Sequence, residues 1–366
     1  MKRRTYALLA SLSLPLAYLA LWPVPAEPVA WQPAANAGYT GAHAPNQRLA
    51  GLQHLSLGAD SGPEHVAFGP DGRLYAAVAS GKVLRMDADG GRREVFASTG
   101  GRVLGFDFDA AGQLLAADAV RGLLSISPDG EVTVLADTFE GEPIRFADAV
   151  VVADDGRIFF SDASTRFGPA DGGGTFEASL LDFLEMSATG RVLEYDPARR
   201  SLRRVAHGLA FANGLALSAD QRSLLVAETG RYRVWRIDAG AQSLDLRQPS
   251  PQARVLLDNL PGFPDNLMRG LDGRLWLGFA KPRSAAVDAM APHPFLRKLV
   301  LRLPRALWPV PPAYGHVIAF TEDGRIVADL QDPSGAYAET TAVTETRDRL
   351  YIQSLHADTL GWLPKR

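Results

Sequence analysis

The sequence predicts an all-β fold, a six-bladed β-propeller, on three observations. A unit of strand, tight turn and strand starts six times, at Asp71-Gly72, Ala111-Gly112, Asp155-Gly156, Asp220-Gln221, Asp272-Gly273 and Asp348-Arg349. The basic spacing is about 40 residues, stretched by insertions, which is a period of radial repeats. The apolar runs are brief and rich in Val, Leu, Ile and aromatics, as in Ile158-Phe159-Phe160, with Gly or Asp between them. Several strands per unit at this period point to sheets set around an axis, which protects strand edges. A β-sandwich or an irregular sheet is the alternative.

At the N-terminus, Lys2-Arg3-Arg4 precedes an apolar run from Tyr6 to Pro23. This is the pattern of a signal peptide or an uncleaved signal anchor. The run is close to the ~20 residues that span a bilayer, and the basic cluster stays on the cytoplasmic side. Val24-Pro25-Ala26 is a poor cleavage site, because proline adjoins the scissile bond. The expectation is a membrane anchor over residues 1–26 with the globular part exported, periplasmic or extracytoplasmic. Secretion after cleavage is the alternative. Residues 27–50, rich in Pro, Ala and Gly, read as a linker. Residues 51–366 form the propeller, and a strand near residues 53–57 is expected to pair with the last strands, near Leu363, to close the ring.

Two stretches interrupt the repeat, residues 166–187 in the third unit and 285–312 in the fifth. Long insertions concentrate on functional faces, so both are expected to cap one face of the disc. The plainer reading is a surface excursion.

Composition narrows the chemistry. The chain has 366 residues, 46% hydrophobic and 22% charged, enough for a sizeable core. A net charge of −3 gives no basic surface for nucleic acid. The absence of cysteine excludes disulfides, thiolate metal sites and a thiol nucleophile. No serine lies in a nucleophile elbow, and no glycine-rich phosphate loop opens a helix.

Three distant segments share one character: Gly62-Pro63-Glu64, Phe211-Ala212-Asn213-Gly214 and Gly262-Phe263-Pro264-Asp265-Asn266. Each sets an oxygen-bearing side chain at a turn ahead of a short strand. Oxygens at one point of several repeats suggest convergence on a hard cation. Calcium takes about six to eight oxygens, more than one loop here supplies.

The segments Ile158-Phe159-Phe160-Ser161-Asp162, Gly190-Arg191-Val192-Leu193-Glu194-Tyr195-Asp196, Phe211 to Ser218 and Leu260 to Asn266 resemble the strictosidine-synthase-like branch of the six-bladed calcium propellers. That superfamily includes the SMP-30/gluconolactonase proteins and the paraoxonases. The N-terminal anchor and both insertions are similar to those of the adipocyte plasma membrane-associated proteins. The resemblance implies a calcium ion (Ca2+) in the central channel, held by Glu64, Asn213 and Asp265, with Asn266 as a further ligand. Where the family often has Asn-Asp, this chain has Ala147-Asp148. The strictosidine synthase glutamate falls at Thr341-Ala342, with Glu339 and Glu345 out of register, which argues against amine–aldehyde condensation. The paraoxonase histidine dyad is missing from Val103-Leu104-Gly105-Phe106.

The implied function is calcium-dependent hydrolysis of a small-molecule ester or lactone. Asp148 or His65 would be the base, with Asp118 and Glu228 as weaker candidates. A propeller that binds a ligand or partner around a structural calcium is the alternative. Asp118 and Asp162, at strand ends, read as braces within their blades, and the Asp before each Gly as a hairpin residue.

Overall fold

The computed structural model describes residues 16–365, and the propeller is six-bladed. Most of the predicted anchor, residues 1–15, lies outside the described residues. No described helix is long and apolar enough to cross a membrane. Blades 1 to 6 begin with the innermost strands His65–Phe68, Val103–Phe108, Ala147–Val152, Ala212–Leu217, Gly262–Arg269 and Thr340–Glu345. Each blade is a four-stranded antiparallel meander, and blade 3 gains a short parallel edge strand, Leu244–Asp245. Blade 6 is completed by the earliest strand. Gln53 pairs with Trp362 and Leu55 with Leu360, so both ends of the chain lock one sheet, as expected from the sequence.

The repeat follows from local chemistry. Second strands such as Leu74–Ala77 and Ile158–Asp162 are buried throughout. Blades cover both of their faces, so they read as unbroken apolar runs. The hairpin turns close by a backbone N–H onto the carbonyl three residues back, as in Gly72 to Gly69, 3.0 Å, and Gly156 to Ala153, 2.8 Å. Gly72 and Gly156 sit at φ of 74° and 86°, where a side chain would be strained.

Five of the six innermost strands share an irregularity. Pairing register slips at Val103/Gly105, Ala147/Val150, Ala212/Leu215, Pro264/Leu267 and Thr340/Val343. Bulges re-aim side chains, and these lie where the chain enters the channel mouth. Asn213-Gly214 is therefore not in a turn but inside a strand. Gly214 is required by close approach, because a Cβ there would run into the backbone of Leu267 and Asp265 in blade 5.

Both insertions are helical, Thr175–Glu185 in the first, Ala285–Met290 and Pro294–Arg302 in the second. They form one cap. The buried Arg297 guanidinium donates from Nη1 to Leu184 O at 3.1 Å, and from Nη2 to Ala291 O at 2.9 Å and to Val29 O. The stretch expected to be a loose linker is packed down. Val29 N donates to Glu185 O at 2.8 Å, and Leu49 is 1% exposed.

Candidate metal centre and active-site cavity

A cavity of about 370 Å³ lies at the channel mouth beneath the cap, within the ~300–1,000 Å³ of small-molecule sites. Glu64, Asp148, Asn213 and Asp265 line its floor, and Phe146, Phe183, Phe211, Phe263, Leu104 and Leu180 its walls. Phe176, Trp308 and Val310 come from the two insertions, so the cap expectation holds.

The floor is built by the bulged innermost strands of blades 3, 4 and 5 and by the residue that leads into blade 1. Glu64 directly precedes the first strand of blade 1, and its backbone carbonyl accepts the Thr341 hydroxyl of blade 6 at 2.7 Å. Asp148, Asn213 and Asp265 are at the register slips of blades 3, 4 and 5. All four side chains are at most 5% exposed. Asn266, 1% exposed, donates through Nδ2 to Glu64 O at 3.3 Å.

This floor holds more negative charge than it neutralises. Its close counter-charge is Arg102, whose Nη2 is 3.4 Å from Glu64 Oε2. Burial pushes the Glu64 carboxyl up to about 7, against the pull of the Arg102 guanidinium. Burial, then the Glu64 charge, raises Asp148 well above the usual range. Burial, Glu64 and Asp148 do the same to Asp265, despite a hydrogen bond from Asn213. Asn213 Oδ1 and Asn266 Oδ1 are buried without a hydrogen-bond partner among the described residues. Carboxylates that repel one another beside orphaned amide oxygens fit a hard cation. Ala147 packs between blades with Leu115 and Phe160. Ala147 is absent from the cavity lining, and Asp148 supplies the oxygen from this blade.

The other candidates separate from the floor. His65 is not on the cavity wall. Its ring packs 4.7 Å from Phe106, and burial lowers its pKa to about 4, so the expectation of a base at this position is corrected. Asp118 is saturated, accepting Thr99 Oγ1 at 2.7 Å, Val120 N at 2.9 Å and Arg102 N at 3.0 Å. Glu228 accepts Trp235 Nε1 at 2.7 Å and Ala210 N at 2.9 Å. Asp162 accepts Arg191 Nε at 2.9 Å and Phe146 N at 3.0 Å. Each ties the end of a second strand to the chain entering the innermost one, so all three brace their blades.

Sequence reasoning missed a group at the cavity rim. His356 and Lys281 line the cavity and both pair with Glu339, Lys281 Nζ at 2.6 Å and His356 through Nδ1. The Glu339 hydrogen bond raises the His356 pKa. Burial works to raise Glu339 itself, but its two partners hold it down at about 2. The signal was faint, since Glu339 lies just before the last innermost strand and His356 just after the strand that pairs with it.

A six-bladed propeller with an oxygen-rich channel mouth under a two-part cap defines the class. Residues 66–296 match the family described as SMP-30/Gluconolactonase/LRE-like region, and residues 41–86 match Strictosidine synthase-like, N-terminal. The chain belongs to this superfamily, in its strictosidine synthase-like branch. It is 33% identical over 258 residues to strictosidine synthase-like protein 4 of Arabidopsis thaliana, covering 69% of this chain and 65% of that protein's length. It is 30% identical over 344 residues to the adipocyte plasma membrane-associated protein of Salmo salar, covering 87% of this chain and 79% of the relative. A gluconolactonase from Xanthomonas campestris has the same fold, with a TM-score of 0.60 at 21% identity over 94% of this chain and 99% of that one. So does a regucalcin from Agrobacterium tumefaciens, described as calcium-binding, with a TM-score of 0.57 at 14% identity over 85% and 93%.

Proposed function

We propose that this protein hydrolyses a small apolar ester or lactone in the capped cavity, with calcium on the floor. The observation that carries the reading is the pairing of an aromatic-walled cavity with a floor of unneutralised carboxylates and orphaned amide oxygens. Glu64, Asp148, Asn213, Asp265 and Asn266 would hold the ion. When bound, calcium supplies Lewis-acid polarisation of a carbonyl and electrostatic stabilisation of an oxyanion.

The chain's own residues do the rest. Phe146, Phe183, Phe211 and Phe263 receive the apolar part of the substrate and exclude water. The Glu339 carboxylate accepts the His356 Nδ1 proton, which leaves Nε2 as the basic nitrogen. His356 takes a proton from the attacking water and returns it to the departing alkoxide. Water thus adds across the acyl–oxygen bond to yield acid and alcohol. Asp148, carried over from the sequence as a base candidate, sits on the floor among the oxygens and is assigned to the cation.

Turnover of phenyl acetate or a γ-lactone should appear with calcium, vanish with chelator and return on readdition. If calcium-loaded protein binds the metal but turns over neither substrate, the hydrolase reading fails. The same chain would then be a ligand-binding propeller around a structural ion.

Membrane proximity has its own support. Arg302 donates to Trp22 O at 2.6 Å and Leu19 O at 2.9 Å, which fixes residues 19–22 beside the cap. Leu21, Trp22, Phe295 and Leu307 are all more than half exposed on this side. Apolar exposure of this kind suits a bilayer surface. Relatives named plasma membrane-associated support a place at a membrane, and we assign the cap side to the bilayer. Flotation with liposomes tests this, and Phe295→Ser with Leu307→Ser should weaken it.

A further inference from the structure

We propose that His43, His316 and Asp329 form a second metal site, for a zinc-class divalent ion, which fastens residues 39–46 to blade 5. The three come from separate places. His43 ends the short turn Gly41–His43. His316 and Asp329 lie on the neighbouring strands Gly315–Thr321 and Ile326–Asp332, where Asp329 pairs with Ile318, two residues from His316. That diagonal puts both side chains on one face of the sheet.

Both imidazoles aim at one oxygen. His43 Nδ1 is 2.9 Å and His316 Nε2 is 3.0 Å from Asp329 Oδ2. Among the described residues, this is the group of His, Cys, Asp or Glu side chains whose donor atoms all fall within 4.8 Å of one another. A tetrahedral zinc site has bonds of ~2.0–2.2 Å, which separates its ligand atoms by roughly 3.3 Å. A few tenths of an ångström of opening admits the ion. Two imidazoles and a carboxylate, without thiolates, suit zinc rather than calcium.

The surroundings hold the donors in place. Asp329 Oδ1 is taken separately, by Asn46 Nδ2 at 3.1 Å and by Gln331 Nε2. Gln331 is itself fixed by the Tyr314 hydroxyl at 2.6 Å. Phe279 stacks on the His316 ring at 4.4 Å. Such outer contacts orient metal ligands. His316 is 1% exposed and His43 18%, so an ion reaches the group from the His43 side. Two polar atoms at the cluster, His316 Nδ1 and the Tyr39 hydroxyl, are buried without a partner among the described residues. None of these residues belongs to the channel floor.

The test uses the full chain, stripped with chelator and titrated with Zn2+ or Co2+. Wild type should take up the ion tightly, and Co2+ should show the visible bands of a four-coordinate site. His43→Ala, at the exposed ligand, should weaken uptake at least about 10-fold. It should also abolish zinc-dependent protection of residues 26–46 from protease. Asp329→Asn is the second variant, and Asp265→Asn should leave zinc uptake intact. No uptake by wild type, or equal uptake by His43→Ala, would overturn the site and leave a hydrogen-bonded clamp. Loss in Asp265→Asn alone would place the ion in the channel and overturn it too.

Discussion

Two sets of buried carboxylates in this propeller differ in how their oxygens are partnered. Asp118, Asp162 and Glu228 end second strands, are 0% exposed, and have their oxygens filled by backbone N–H groups, hydroxyls, arginines or an indole. Glu64, Asp148 and Asp265 are only slightly less buried, yet repel one another beside amide oxygens left without a partner among the described residues. Burial is the same, and satisfaction is not. Filled oxygens mark architecture, whereas unfilled ones mark a place for a ligand.

The comparison can be broken most forcefully at a brace. Asp162→Ala strands the buried Arg191 and the Phe146 N–H, so it should cost about 3–5 kcal/mol of folding stability. Chemical denaturation measures it. A loss below 1 kcal/mol would mean the two sets are not different in kind. On the floor the sign should reverse. Asp265→Asn removes repulsion, so metal-free protein should be as stable as wild type or more so. Its calcium affinity should fall on the order of 100-fold. A destabilised apo-protein with unaltered affinity would make Asp265 a brace like the others.

The rim offers a finer test. In the proposed reaction His356 must be neutral, and Glu339 raises its pKa, so activity should fall on the acid side of a midpoint above the ordinary ~6.5. Glu339→Gln should move that limb to lower pH, because the imidazolium loses its carboxylate. His356→Ala should lower kcat by roughly 10²–10⁴. The stability sign is separate. A histidine with a raised folded pKa stabilises fully below its unfolded pKa, and this is lost as pH rises through the folded value. The smallest effect belongs to an exposed pair. Arg199→Ala, across from Asp196, should leave both the denaturation midpoint and calcium binding unchanged.

The hairpins made the blade count legible, because a turn that needs Asp and Gly advertises itself wherever it falls. Ring closure by the strand near Gln53 was legible for a related reason, since an open ring leaves two sheet edges bare. Glu64, Asn213 and Asp265 could be named because their segments recur at one point of the repeat. That Asp148 rather than Ala147 lines the cavity was not legible, since which of two adjacent residues faces the channel depends on a bulge that composition does not reveal. His65 was misread because adjacency to Glu64 in sequence does not place its ring on the cavity; the ring packs on Phe106 instead.

The sequence by itself determined the propeller, its insertions and the oxygen-bearing segments, because hydrophobic period and turn chemistry are local properties. Only the tertiary structure decided which buried carboxylates were satisfied. It also decided that His356 meets Glu339 at the cavity rim, and that the supposed linker is packed beneath Arg297 and beside His316. Those outcomes depend on which side chains meet in space, whether 17 residues apart as His356 and Glu339 or 268 apart as Arg297 and Val29, and local sequence does not mark which residues will meet.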